Sequence, residues 1–514
     1  MSESDVPLPT DLDLCHEIIR QQAATIEEAQ RRIEQLEHQI EQLLRRQYGP
    51  RRENVDPDQL RLFTDEEPED LAEDAPEEPS QPEDAAPARR RWRRRGRQRL
   101  PEHLPRERIE YKLPPEELPC PDCSHLRVKI GEEVSEQLEY VPASMWILQH
   151  VRFRYACRAC QEHVAIADKP PQPIDKGLPG PGLLAQTITS KYSDHLPLYR
   201  LEDIFARHGV ELSRATLCGW MASCAALLTP LHDLMVKRVL LSVVIHTDDT
   251  TVPVLDPTLP QTRTGRFWVY IGDGRNPYVV YDYTPRRTRD GPEQFLKAFR
   301  GYLQADAFSG YDRICAGPDV IEVACWAHVR RKFFESRTSA PVPAHAALAR
   351  IRQLYKIEHD AAELSAHDRR CLRQKEALPL LNAFEEWLAE QGRQALPKSP
   401  IGQAIAYAQS NWAALLRYTE HGDLSIDNNL AERMLRAQAI GRKNYMFLGS
   451  DRGGRTAAVL YSLTGTCKHL GLDPFAYLRD VLGQLPTHPV DRLAELLPDV
   501  WFEAHPQARR KKVA

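Results

Sequence analysis

Acidic side chains at the ends of apolar runs are the features of this chain most able to do chemistry. The run Val239–Ile245 is short, continuous and β-branched, so it reads as a buried strand. It leads into Asp248 and Asp249, side by side in VVIHTDDTTVPV (243–254). Adjacent strand side chains face opposite ways, so the two carboxylates cannot share one task. Residue types alone leave open which of them acts. GYLQAD (301–306) reads as another strand, ending in Asp306. In LSIDNNLAERMLRAQAIGRKNYMFLGS, Asp427 or Asn428 can cap a helix beginning near Asn429. Glu432 then sits one turn inside that helix, with Arg436 four residues on along the same face. Such a pair is by itself an ordinary solvated ion pair, and only the two preceding strand-end acids make Glu432 a ligand candidate. Arg442 and Lys443 add positive charge where a phosphate would approach. Three carboxylates brought together can hold two divalent metals about 3.5–4 Å apart for in-line phosphoryl transfer. All-oxygen ligation suits Mg2+ or Mn2+.

A sheet has to bring those acids together. After the first run come GRFWVYIG (265–272) and YVVYDY (278–283), two strands rich in aromatic and β-branched residues. GPEQFLKAF then reads as a helix, VIEVACW (320–326) as a strand, and AHVRRKFFE as a basic helix carrying His328, Arg330 and Arg331. The order strand, strand, strand, helix, strand, helix, strand, helix matches an α/β sheet of the ribonuclease H-like kind, where the ends of the first and fourth strands lie close together. His328 there could touch DNA or the substrate water, or be a packed or ion-paired histidine. Residues 337–420 show helical spacings, Leu348-Ile351-Leu354 and Leu378-Leu381-Phe384, and read as a helical insertion.

Upstream, Cys120-Pro-Asp-Cys123 and Cys157-Arg-Ala-Cys160 are paired knuckles that can supply four thiolates to a structural, tetrahedral Zn2+. Strands such as Met145–Leu148 and Val151–Arg154 could fill the gap between them. In LEDIFARHGVELSRATLCGWM a helix, a turn at Gly209 and a second helix capped by Ser213 outline a helix-turn-helix, with Arg214, Thr216 and Trp220 on the candidate recognition helix.

Near the N-terminus Ile19, Ile26, Ile33 and Ile40 recur every seven residues, with Gln22, Ala29, Leu36 and Leu43 three after each. That seam favours a parallel two-stranded coiled coil. Asp65–Asp84 then holds eleven acidic residues and no basic one, and Arg89–Arg99 holds eight arginines. The first cannot order itself by burying apolar surface. The second reads as a solvated tail, as an intramolecular partner for the acidic tract, or as a flexible arm on a nucleic-acid backbone. The net charge of −5 averages over this local bias. Eleven cysteines without a signal-peptide pattern or a long apolar span point to a soluble, intracellular chain with thiol or metal chemistry. ARRKK near the C-terminus is a basic tail of unassigned use.

HTDDT, LQADAFSGYD, CWAHVRRKF and NNLAERMLRAQAIGRKNYMFLGS together resemble the signature blocks of the insertion sequence 66 family of DDE transposases (the transposase C type). SDHLPLYRLEDIF, CKHLGLDPFAYLRDVL, the CxxC knuckles and the N-terminal zipper resemble that family too, so the likeness covers nearly the whole chain. By resemblance, the catalytic triad falls on Asp248, Asp306 and Glu432, which would also hold the Mg2+. The family usually has Asp-Glu-Thr where this chain has Asp248-Asp249-Thr250. With Asp248 facing the metals, Asp249 points to the other face, either as a plain strand-end residue, the favoured reading, or paired with a basic side chain.

The expected layout is a coiled coil in 1–50, a charged linker in 51–105, a zinc module in 106–168 and a helix-turn-helix region in 169–230. A ribonuclease H-like DDE domain in 231–460, with its insertion at 337–420, and a C-terminal helical segment in 461–514 complete it. The implied activity is cut-and-paste DNA transposition: metal-dependent cleavage at the element's ends, then attack of the exposed 3′-OH on target DNA. Candidate DNA contacts are Arg214, Thr216, Arg330, Arg331, Arg436, Arg442 and Lys443. Expected partners are the element's terminal repeats, target DNA, a second copy of the chain and accessory proteins of the element, with no membrane. The expected location is the bacterial cytoplasm, on the nucleoid. The rival readings are a purely hydrolytic nuclease of the same fold and a DNA-binding regulator with an idle core; three acids at fold-consistent positions speak against the latter.

Overall fold

A computed structural model describes residues 154–155, 165–166, 171–175, 177–286, 290–306 and 310–510. All of them belong to one of two compact units of the chain; the other unit, residues 64–149, lies outside the described residues, as do the heptad segment and the arginine run. Of the region expected to hold zinc, only Arg154–Tyr155 and Ala165–Ile166 are described, paired as a short antiparallel ladder.

Five strands build one mixed sheet: β1 Val244–Val254, β2 Arg263–Ile271, β3 Val279–Thr284, β4 Gly301–Gln304 and β5 Val320–Val323. Their order is β3-β2-β1-β4-β5. β1, β2 and β3 run antiparallel as a meander, whereas β4 and β5 lie parallel to β1. Five consecutive residues of β2, Phe267–Ile271, are fully buried, as expected when helices cover both faces of a sheet.

Two expectations about β1 change. Val239, Leu240 and Leu241 are not strand: Val239 ends a long helix, and backbone bonds from Leu240, Leu241 and Ser242 to Val236, Arg238 and Val239 wind it down. A continuous apolar run has no period that separates a buried helix end from a buried strand. The strand also does not stop at the acids. It pairs with β2 as far as Val254, so on that side Asp248 and Asp249 lie mid-strand, opposite Val269 and Trp268. On the other side the parallel ladder with β4 ends at His246 and Gln304, which leaves Asp248 just past its last rung.

Among the described residues, helices of eight or more residues are α1 Pro181–Ile188, α2 Leu198–Arg207, α3 Arg214–Val239, α4 Trp326–Ser336, α5 Pro341–Asp360, α6 Leu378–Gln394, α7 Pro400–Ser410, α8 Asn429–Tyr445, α9 Asp451–His469 and α10 Pro474–Gln484. One hydrophobic core joins the sheet to α1, α3, α9 and α10 through residues such as Ile188, Met235, Phe267, Tyr281, Tyr461 and Leu478. A second core packs Val244, Val323 and Trp326 against Ile351, Leu354, Leu381, Phe384 and Ile405. Every regular element of 337–420 is helical, and Leu348, Ile351, Leu354, Leu381 and Phe384 of its predicted apolar spacings join that second core, whereas Leu378 does not.

The turn and cap expected before α3 stand where the residues put them. Gly209 has φ +76, a left-handed turn that suits glycine, and the Ser213 side chain accepts from Thr216 N–H at 3.2 Å. Trp220, however, is buried in the first core and is not on a reading face. The boundary expected at 460 falls inside α9, so the C-terminal segment has no separate start there.

Candidate active site

His246 and Gln304 are register partners on β1 and β4, and Asp248 and Asp306 follow each by two residues. The period of two puts each acid on the face of its predecessor. Burial and the negative charges of Asp306 and Glu432 push Asp248 up to about 8, against an opposing pull from Arg331. An acid can feel both others in this way only if all three share one neighbourhood. The Asp248 carboxylate also accepts from Asp249 N–H at 2.7 Å.

Glu432 comes from the first turn of α8, and its cationic neighbours come from α4. His328 Nε2 lies 3.7 Å from one carboxylate oxygen and Arg331 Nη2 lies 3.7 Å from the other. Burial lowers the pKa of His328, while Glu432 pulls it the other way. The expected pairing of Glu432 with Arg436 is therefore replaced: the helix packs its acid onto α4, and Arg436 stays exposed. Asp427 and Asn428 divide the capping task in a way the residue types did not foretell. Asp427 accepts from Asn429 N–H at 3.1 Å, whereas Asn428 turns its amide away from the helix and onto β1.

The bonds from that segment are the functional features that sequence reasoning missed. Asn428 donates to the Thr247 carbonyl at 2.8 Å and meets His246 Nδ1 through its side-chain oxygen at 3.1 Å. Gln304 donates to the Asp427 carbonyl at 3.0 Å and accepts from Ser425 N–H at 3.2 Å. Tyr355, from α5, donates its hydroxyl to Asp427 at 3.0 Å. Burial pushes Asp427 up to about 6. His-x-Asp and Gln-x-Asp at the two strands carried a signal: a buried polar residue two before each acid must spend its hydrogen bonds on something nearby.

Asp249 points to the opposite face and forms a buried ion pair with Arg266 of β2. The favoured expectation of a plain strand-end residue is thus corrected, because a carboxylate under helices needs a charge partner. Arg330 and Arg331 separate. Arg331 faces Glu432, while Arg330 lies over the Phe334 ring at 5.9 Å. Arg442 donates to the carbonyl and, at 2.9 Å, to the hydroxyl of Thr251, tying α8 to β1. Lys443 is exposed, as are Arg214 and Thr216 at the start of α3, and these three take no part in the acid cluster.

Hard oxygen donors suit a divalent cation, and the mutual repulsion that raises Asp248 is what such a cation would relieve. In their present positions the three do not meet at ligand distance, and no other group of three His, Cys, Asp or Glu residues does so among the described residues. Cys120, Cys123, Cys157 and Cys160 lie outside the described residues. No helix among the described residues is long and apolar enough to cross a membrane.

Comparison with known proteins bears on the whole chain. A family model described as Transposase IS66 family matches residues 176–456. One described as the zinc-finger binding domain of transposase IS66 matches 117–161, a span that holds all four knuckle cysteines. Models described as Transposase C of IS166 homeodomain and IS66 C-terminal element match 35–109 and 462–498. The homeodomain match falls across the end of the heptads and the charged tracts, whereas the helix-turn-helix outline falls at the start of the transposase match. The uncharacterized protein y4jD of Sinorhizobium fredii is 33% identical over 516 residues, 95% of this chain and 98% of the relative. The uncharacterized protein y4hP of the same organism is 33% identical over 442 residues, 81% of this chain and 78% of the relative. A third, y4qI, is 36% identical over 409 residues, 76% and 75% of the two chains. With matches that run from the heptads to the last helices, the chain belongs to the IS66 transposase family.

Proposed function

We propose that this chain is the DNA-cleaving and strand-joining enzyme of an insertion element, with Asp248, Asp306 and Glu432 as a DDE triad on a ribonuclease H-like core. The observation that carries the reading is the placement of the three acids: Asp248 and Asp306 each follow the register pair His246 and Gln304 of adjacent strands by two residues, and the segment leading into the Glu432 helix is bonded to both strands. The sheet supports it, since an antiparallel meander followed by two parallel strands puts two acids on adjacent strands.

The three carboxylates would hold Mg2+ or Mn2+, which when bound would activate the attacking oxygen and neutralise charge on the phosphodiester. His328 and Arg331 keep Glu432 oriented, and the exposed Arg331 guanidinium is suited to meet a phosphate. The Asn428 and Gln304 bonds hold the Glu432 helix against both acid-bearing strands, which is the positioning that in-line displacement needs. The reaction runs in two steps: hydrolysis frees a 3′-OH at the element's end, and that 3′-OH then attacks a target phosphodiester. Four thiolates from Cys120, Cys123, Cys157 and Cys160 would hold a structural Zn2+. Arg214, Thr216, Arg436 and Lys443 are exposed groups available to DNA. The heptad seam would pair two chains, one for each element end, and the work would be done in the bacterial cytoplasm, on the nucleoid.

A strand-transfer assay tests this. Full-length protein, duplexes bearing the element's terminal repeats and Mg2+ or Mn2+ should give nicked ends and joined products. Nicks without joining would indicate a nuclease, and binding without either would indicate a regulator.

A further inference from the structure

The far end of α8 carries a strained turn. Met446 has φ +67 and ψ −51, and Phe447 N–H donates to the Tyr445 carbonyl at 2.8 Å. That is the rare γ-turn with positive φ, which costs a bulky residue conformational energy and persists only where its surroundings fix it. Here they do. Met446 N–H donates to the Arg442 carbonyl at 2.8 Å, and Leu448 is laced to the end of β1 by bonds with Pro253 and Leu255 at 2.9 and 2.8 Å. Asn444 donates to the His195 carbonyl at 3.0 Å.

The strain holds large apolar side chains out of the core. Met446 is 68% exposed, Phe447 44% and the neighbouring Leu255 45%. The tip is small; exposed Lys443 precedes it on the helix and exposed Arg452 follows it in the chain. A few apolar side chains between cations suit a duplex better than a protein surface: the cations meet phosphates while the apolar tip enters a base step. The same helix carries Glu432, fourteen residues earlier, so the tip lies about 21 Å along the axis, roughly six base-pair rises away.

We propose that Met446 and Phe447 form a wedge that unstacks duplex DNA roughly six base pairs from the cleavage point. This rests on the transposase reading above. The bend at such a step lets α8 follow the duplex from the wedge to the acids.

The test uses full-length protein and a terminal-repeat duplex with 2-aminopurine moved one base at a time away from the cut. Wild type should raise the fluorescence at steps near the sixth base and nowhere else. In a Met446→Gly, Phe447→Ser double variant the rise should vanish; glycine adopts the γ-turn without strain, so folding is spared. Its binding should fall by less than about threefold, while nicking should fall about tenfold and be restored by a mismatch at that step, which removes the cost of unstacking. Normal nicking without a fluorescence rise overturns the wedge and leaves the transposase reading standing. A wild-type protein that neither binds nor nicks overturns both. A variant that loses self-association but keeps the fluorescence rise makes the tip a contact between copies and overturns the wedge.

Discussion

His246 and Gln304 face each other in register on adjacent parallel strands, and each is bonded to the four-residue segment 425–428 that leads into the Glu432 helix. Both strands carry a candidate catalytic aspartate two residues further on. One segment is thus fastened to both acid-bearing strands, which fixes the third carboxylate relative to the first two. Asn428 is one of these fasteners: it is fully buried and its side chain bonds both His246 and Thr247. Asn428→Ala should cost about 2–3 kcal/mol of stability, since it leaves buried polar partners unmet. It should also slow single-turnover nicking by roughly a hundredfold through misplacement of Glu432. Urea unfolding and nicking kinetics check the two effects; unchanged nicking would show that the fastening does not set the site.

A second prediction concerns Lys191, half-buried with its ammonium 5.4 and 5.0 Å from the Tyr192 and Tyr445 ring centroids. Burial lowers its pKa from 10.5 to about 8. The folded state therefore favours the neutral amine. The stabilisation linked to this group is complete above the unfolded value of 10.5 and is lost as pH falls through about 8. Burying the charge at neutral pH costs on the order of 3 kcal/mol, of which the two ring contacts return about 1 kcal/mol. Lys191→Met should therefore stabilise the protein by about 2 kcal/mol at pH 7 and much less at pH 10. Unfolding at the two pH values decides it, and equal stabilisation at both would exclude a titrating lysine.

Much of this architecture was legible because period and residue type agreed. β2 is aromatic and β-branched from Phe267 to Ile271 and β3 is so except at Asp282, while residues 337–420 repeat apolar residues at helical spacing; these segments formed strands and helices as read. Reading failed where tertiary contacts choose between locally equivalent options. The run Val239–Ile245 is apolar in either state, and only its packing ends the helix at Val239. The partners of Glu432 and Asp249 could not be read locally, because His328, Arg331 and Arg266 lie on other elements. A helix neighbour such as Arg436 is visible in the sequence, but a partner across the fold is not.

The paired knuckles should bind one zinc per chain through Cys120, Cys123, Cys157 and Cys160. Four thiolates bind the ion tightly enough for folding of the module to depend on it. Chelation should make residues 106–168 sensitive to protease, and added Zn2+ should restore resistance. Cys157→Ser should leave elemental zinc well below one equivalent. Full zinc in that variant would rule out this ligand set.

The adjacent aspartates should fail in different ways. Asp248→Asn keeps its shape but loses the charge that would hold a cation, so metal-dependent nicking should vanish while binding to element ends survives. It should also stabilise the metal-free protein, because burial and two acid neighbours disfavour the Asp248 carboxylate. Asp306→Asn and Glu432→Gln should abolish nicking likewise. Asp249→Asn is another matter, since it removes the carboxylate that pairs with the buried Arg266 cation. Breaking one side of a buried pair costs about 3–5 kcal/mol, so this variant should unfold earlier yet nick nearly normally per folded molecule. Thermal unfolding and nicking at low temperature, measured side by side on the four variants with a gel-shift control, separate the outcomes. A dead but stable Asp249→Asn, beside an active Asp248→Asn, would exchange their roles, because one extra residue in the strand reverses every side chain after it.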